Sequence, residues 1–272
     1  MTEEPASEDP TAQPTITMAS STPASDETAA HKRTILFLNF SEDTIEDIEK
    51  FELPKYLKSR ARVLCATNPA TAYAHLGAAV KPSAILIADA ALTNNFALKE
   101  QREAGVYGSY RPPKTKEEEM KQYGAFLAYL NTYVRSGGGT VVFCKKFSGD
   151  SSLPHMEDVF STAFGLPWKA FCYHRSTFML RVENMRRLSL AADLAPQYSV
   201  KAVHLMDVEE KDRLYVPRSD SYIESFVFAP EPVDQNETPV AWADVGEGMV
   251  GYIGDVNSED GSKRVLLAMC GL

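Results

Sequence analysis

The first candidate for chemistry in this sequence is the run FCYHRST at 171–177. His174 stands there between Tyr173 and Arg175, and an imidazole exchanges its proton near neutral pH, so it is a candidate general base with a pocket-lining tyrosine and arginine beside it. A histidine next to an arginine suits a surface or a hydrogen-bonded core equally well, and the run alone leaves both readings open. Cys172 lies two residues away and shares a face with His174 if the run is a strand. Such a pair is half a metal site at most, and no other Cys or His follows at zinc spacing, so no metal and no cofactor is expected. Cys65, Cys144, Cys172 and Cys270 are far apart and form no CxxC. Three of them sit in the apolar runs VLCAT, VVFCKK and LLAMCGL, as buried thiols of a reducing compartment do. The run from Gly246 to Gly251 spells GxGxxG, but a phosphate cradle needs a helix after the last glycine and here a strand pattern follows. The glycines are better explained by a hairpin turn and close backbone packing. GxSxG, Walker A, HExxH and EF-hand patterns are missing from the sequence.

The elements that would position these residues alternate between short apolar runs and helical patterns, which marks an α/β fold with a mainly parallel sheet. Strands are expected at TILFLNF (34–40), RVLCA (62–66), AILIA (84–88) and TVVFC (140–144). Helices follow the first two, with Ser41 as the first N-cap. Residues 94–116 break the rhythm and read as an exposed insertion. Thr115 with Glu118 forms a capping box before an apolar stripe of Met120, Tyr123, Leu127, Leu130 and Val134, and Gly137–Gly139 stops that helix. In the second half, a helix starts near His155 and is stopped by Gly165. FCYHRSTFMLRV, YSVKAVHLM and SYIESFVFAP read as strands. PVAWADV and MVGYIGDV form a β-hairpin about Gly246-Glu247-Gly248, and GSKRVLLAMCGL closes the chain as a helix.

Open α/β sheets bind ligands at the carboxyl ends of their strands. That rule gathers Asn39 and Ser41, Asp89, Cys144 with Lys145 and Ser148, and Asp255 with Asn257 at one edge, a set suited to a small polar ligand. Ser41 and Asp89 serve as helix caps in the competing reading.

The helix leading into YVRSGGGTVVFC (133–144), FGLPW (164–168) and PVAWADVGEGMVGYIGDVN (239–257) together resemble the class I glutamine amidotransferase-like superfamily, in particular its ThuA-like and other non-amidotransferase members. The resemblance spans most of residues 33–272. It implies a three-layer α/β/α, flavodoxin-like domain with a C-terminal β-hairpin. In catalytic members a cysteine sits on a sharp turn after the strand that follows the long helix, served by a His and a Glu from a C-terminal loop. Cys144 falls at the matching position. The small residues that flank such an elbow are replaced by Val142 and Lys146, and no histidine follows His204, so the Cys-His-Glu triad is incomplete. Lys145 and Lys146 favour a thiolate but cannot supply the missing base at neutral pH. A pseudoenzyme that binds a small polar metabolite or a protein partner is therefore expected. The alternative is a hydrolase using Cys144 or a His174-centred site, linked to carbohydrate metabolism through the ThuA-like resemblance.

Composition restricts the partners. The 272 residues carry a net charge of −9, which disfavours nucleic acid and anionic membranes. Residues 1–31 hold six acidic residues and no Lys or Arg, leaving −3 for the rest. Their Pro-, Ser- and Thr-rich composition cannot bury enough to fold. They are expected to form a disordered acidic tail before one domain over 32–272. No apolar run approaches the roughly 18 residues of a membrane span, and no secretory or mitochondrial leader is legible. A cytoplasmic protein is expected, with a nuclear location and a homodimer both compatible.

Overall fold

The computed structural model describes residues 33–40, 52–93, 114–137, 139–188, 193–225, 227 and 229–272. The expected tail, Ser41 with the helix it would cap, and most of the 94–116 insertion lie outside the described residues.

Nine strands form one sheet in the order β2-β1-β3-β4-β9-β8-β7-β5-β6. In its first half β1 (Thr34–Leu38), β2 (Arg62–Ala66), β3 (Ala84–Ile87), β4 (Thr140–Phe143) and β9 (Gly248–Ile253) pair in parallel. These are the continuous apolar runs of the sequence, and the pleat divides their side chains between two cores. Leu36, Ile85, Val141 and Val250 pack on one face against α2 (Pro69–Leu76) and α3 (Lys114–Arg135). Ile35, Leu86, Val142 and Met249 pack on the other against α1 (Glu52–Lys58) and α6 (Asp260–Met269). Helices thus cover both faces of this half. From α3, Leu127, Leu130 and Val134 of the expected stripe are buried, and Phe126, outside that stripe, is buried beside them. The helix starts at Lys114, one residue before the expected Thr115 cap.

The second half corrects the expectation of a mainly parallel, flavodoxin-like sheet. Here β5 (Lys169–Leu180), β6 (Gln197–Met206), β7 (Arg213–Pro217) and β8 (Val240–Val245) pair antiparallel with one another, and β8 pairs antiparallel with β9. Among the described residues their connections contain no long crossover helix, and each neighbouring pair in this half runs antiparallel. β6 also bridges to Asp255 and Thr238, which curls this half back on itself. SYIESFVFAP, expected to be a strand, contributes among its described residues an isolated bridge from Tyr222 to Pro232.

The hairpin of β8 and β9 is as expected. Gly246 has φ +62°, and a Cβ there would stand 2.6 Å from the Arg135 Cα. The turn therefore lies directly against the end of α3, which gives Gly246 the packing role expected of it. The helix expected near His155 is α5 (Leu153–Asp158), continued by a π-helical stretch Val159–Phe164 that Gly165 ends at φ +70°. Among the described residues no helix is long and apolar enough to cross a membrane.

Candidate functional site

The sharp turn after β4 is present, but the residue on it is Lys145 rather than Cys144. The Cys144 N–H still donates to the Ile87 carbonyl at 3.0 Å, continuing the β4 ladder. Lys145 then adopts φ 60°, ψ −126°, and α4 (Lys146–Asp150) begins. A side-chain-bearing residue in this region costs on the order of 1–3 kcal/mol and persists only where its surroundings enforce it. The Lys145 Nζ donates to the Ser258 Oγ, and Ser258 itself has φ 67°. Two strained residues thus meet where β4 and β9 end. Lys145 makes no ion pair among the described residues, so its ammonium rests on a neutral hydroxyl.

Cys144 is 2% exposed and belongs to the core shared with Ile35, Leu86 and Met269. Burial pushes its thiol up to about 12; the neighbouring Lys145 charge opposes this weakly and Asp255 reinforces it. The small cavity touching it is lined by Leu53, Asp255, Ser262 and Leu266 among others, and by no histidine. A buried thiol whose raised pKa keeps it neutral, with no histidine lining its cavity, lacks the activation of a catalytic nucleophile.

The remaining strand-end residues do gather at one edge. Asp89 is 3% exposed and ties two strand ends together: its Oδ2 accepts from the Phe40 N–H and its Oδ1 from the Ala91 N–H at 2.7 Å. Asp255 accepts three backbone N–H bonds, from Asn257 at 2.7 Å, Ser258 at 2.9 Å and Glu259 at 2.8 Å, and so organises the loop into α6. Burial first, then the hydrogen bond shared with Glu259, raise the Asp255 carboxyl to about 6. Burial also opposes the Glu259 carboxylate, but the bonds from Asp255 and Arg175 outweigh it and hold Glu259 below the usual carboxylate range. The Arg175 Nη2 lies 2.5 Å from the Glu259 Oε1. Buried Ser148 donates to the Ile253 carbonyl at 3.1 Å.

Between these groups lie two cavities that share Lys145 and Lys146. One, of about 230 Å³, adds Asn39, Phe37, Leu53 and Ser258. The other, of about 560 Å³, adds Ser148, Asn257 and Tyr173. Four expected residues, Asn39, Lys145, Ser148 and Asn257, therefore line these two cavities; Asp255 lines the small cavity beside Cys144, Asp89 is tied to backbone N–H groups, and Ser41 lies outside the described residues.

His174 is not in this cleft. The alternation of β5 points Phe171 and Tyr173 outward, 52% and 54% exposed, and turns Cys172 and His174 inward. There they meet His204 of β6 and Glu237, which precedes β8. The His174 and His204 ring centroids are 4.1 Å apart. The His174 Nε2 is 2.8 Å from the Glu237 Oε1, and the Cys172 Sγ is 2.9 Å from the Glu237 Oε2. Burial and the Glu237 carboxylate both raise the Cys172 thiol; burial and the nearby His174 lower His204 well below its ordinary value. His204 and Glu237 escaped the sequence reading because nothing in their local sequence separates them from ordinary strand and loop residues.

The fold and site define an α/β protein with a half-parallel, half-antiparallel sheet and a lysine-bearing cleft at its carboxyl edge. No family model and no curated protein matches the chain. Among solved structures it is similar to the cytoplasmic protein STM1381 from Salmonella typhimurium LT2, with a TM-score of 0.44 and 12% identity over 88% of this chain and 98% of that one. A putative ThuA-like protein from Parabacteroides merdae gives a TM-score of 0.42 and 11% identity, covering 88% of each. A β-galactosidase from Bacillus circulans sp. alkalophilus gives 0.41 and 11%, and the chain spans only 31% of that enzyme. At such scores none of these likenesses assigns a family or an activity.

Proposed function

We propose that the cleft between the ends of β1, β4 and β9 binds a small polar, anionic metabolite without chemical turnover. The observation that carries this reading is Lys145: a strained elbow residue whose ammonium borders both cavities and is hydrogen-bonded to a neutral hydroxyl. Strain of this kind collects at ligand sites, and an ammonium held without a carboxylate partner favours an anion. Lys146, Ser148 and Asn257 add polar groups to the same space. Hydrolysis by Cys144 is disfavoured by the buried thiol with its raised pKa, and His174 lines neither cavity, its Nε2 lying 2.8 Å from the buried Glu237 Oε1. A cytoplasmic setting belongs to this proposal.

Calorimetric titration with inorganic phosphate and a panel of sugar phosphates tests it. Lys145→Gly should weaken binding at least about tenfold while raising stability by about 1 kcal/mol, the relief of strain less the entropy of the added glycine. No binding across the panel, or equal affinity in the variant, would reject the reading.

A further inference from the structure

Cys172, His174, His204 and Glu237 offer four donor atoms, one from each side chain, that all lie within 4.8 Å of one another. They come from three separate places in the chain. Cys172 and His174 lie at and just after the irregularity in the β5-β6 register between Ala170 and Tyr173. His204 stands on the neighbouring strand, and Glu237 precedes Thr238, which bridges to Leu205 of β6. The curl of the antiparallel half folds all four side chains into its interior. His204 is 0% and Glu237 1% exposed.

Three polar atoms of this cluster, the His174 Nδ1, His204 Nε2 and Glu237 Oε1, have no aligned hydrogen-bond partner. The Glu237 Oε1 does lie near the His174 Nε2, but the pair lacks hydrogen-bond alignment. A buried carboxylate without a lasting cation is costly, as is each unsatisfied polar atom. Protonating both imidazoles does not solve this, because two stacked cations would repel each other.

We infer that these four side chains form a structural binding site for a divalent, zinc-like ion. A dication bound by the Cys172 thiolate, the Glu237 carboxylate and two neutral imidazoles gives a charge-neutral buried site. The thiol proton leaves to solvent when the metal binds. Mixed sulfur, nitrogen and oxygen donors, four in number, match zinc in character and count. Bonds of about 2.0–2.3 Å in a tetrahedron separate donors by roughly 3.3–3.8 Å. The four donor atoms, all within 4.8 Å of one another, reach that range by small side-chain adjustments. The 2.9 Å contact of Cys172 with Glu237 has only to open by a side-chain adjustment. With four protein donors the coordination sphere is complete, so the ion would tie β5, β6 and the entry to β8 together rather than activate a substrate. The site is separate from the cleft and does not depend on the ligand proposed there.

The test titrates the full chain, first stripped of metal with a chelator, with cobalt(II), which reports a cysteine ligand through a sulfur-to-metal charge-transfer band. One cobalt per chain is expected, with a strong band in the wild type and in Cys65→Ser. The band should disappear in Cys172→Ser, and affinity should drop at least about tenfold in Cys172→Ser and Glu237→Gln. Zinc should displace cobalt and slow alkylation of Cys172 in the wild type, a readout that needs no variant to fold. The inference is overturned by a missing charge-transfer band with cobalt in excess, by a band unchanged in Cys172→Ser, or by zinc leaving Cys172 alkylation unaffected. Lys145→Gly keeps all four donors and should retain the cobalt spectrum, so failure of the cleft reading is distinguishable from failure of this one.

Discussion

Cys144 and Lys145 are adjacent, and their environments could hardly differ more. Cys144 ends a buried strand, where burial raises its thiol to about 12; Lys145 takes the strained turn and faces the cleft. A thiol that neutral and that enclosed should be alkylated no faster than buried Cys270 in the native protein near pH 7, with both reacting only on unfolding. Mass-spectrometric mapping of iodoacetamide adducts at short reaction times checks this, and rapid selective labelling of Cys144 would restore the nucleophile. The sequence placed a cysteine and two lysines at the right strand end. It did not show which of them sits on the turn, because one residue of register along the chain decides between the core and the cleft.

At the scale of elements, the hairpin and the loop into α6 make separate predictions. Gly246 has a left-handed φ and no room for a Cβ against Arg135, so Gly246→Ala should cost on the order of 2–4 kcal/mol in urea unfolding, loosening the contact between α3 and the hairpin. The loop after β9 carries a pH dependence. A carboxyl raised to about 6 in the native state, as Asp255 is, keeps its proton on folding while the unfolded chain loses it near pH 4. Stability from this group therefore falls as pH rises from about 4 to 6 and then levels off. Below about pH 4.5 the lowered Glu259 works the other way, since stability is lost as it is protonated. The wild type minus Asp255→Asn difference in urea midpoints should decline through that window. A flat difference would mean that Asp255 stays ionised on its three backbone N–H bonds. The variant should be less stable at pH 5 because it loses the acceptor for the Glu259 N–H.

Across the whole molecule, the parallel half was legible in the amino-acid sequence. Strands buried on both faces must be continuous apolar runs, and a helix covering them must carry a stripe, so TILFL, AILI, TVVF and the stripe of Leu127, Leu130 and Val134 could be read directly. The hairpin was equally legible because its turn demands glycine. The strand-end rule then brought Asn39, Lys145, Ser148, Asp255 and Asn257 to one edge without knowledge of their contacts. The other half was set by long-range strand pairing. A two-residue alternation reveals that a strand has one buried face and says nothing about its direction or neighbour, so β5 to β8 could not be ordered from their patterns. The Cys-His-Glu cluster depends on that ordering. His204 stands 32 residues and Glu237 65 residues from Cys172, separations at which sequence spacing carries no geometry. Those donors meet only because the antiparallel half curls back and closes around them.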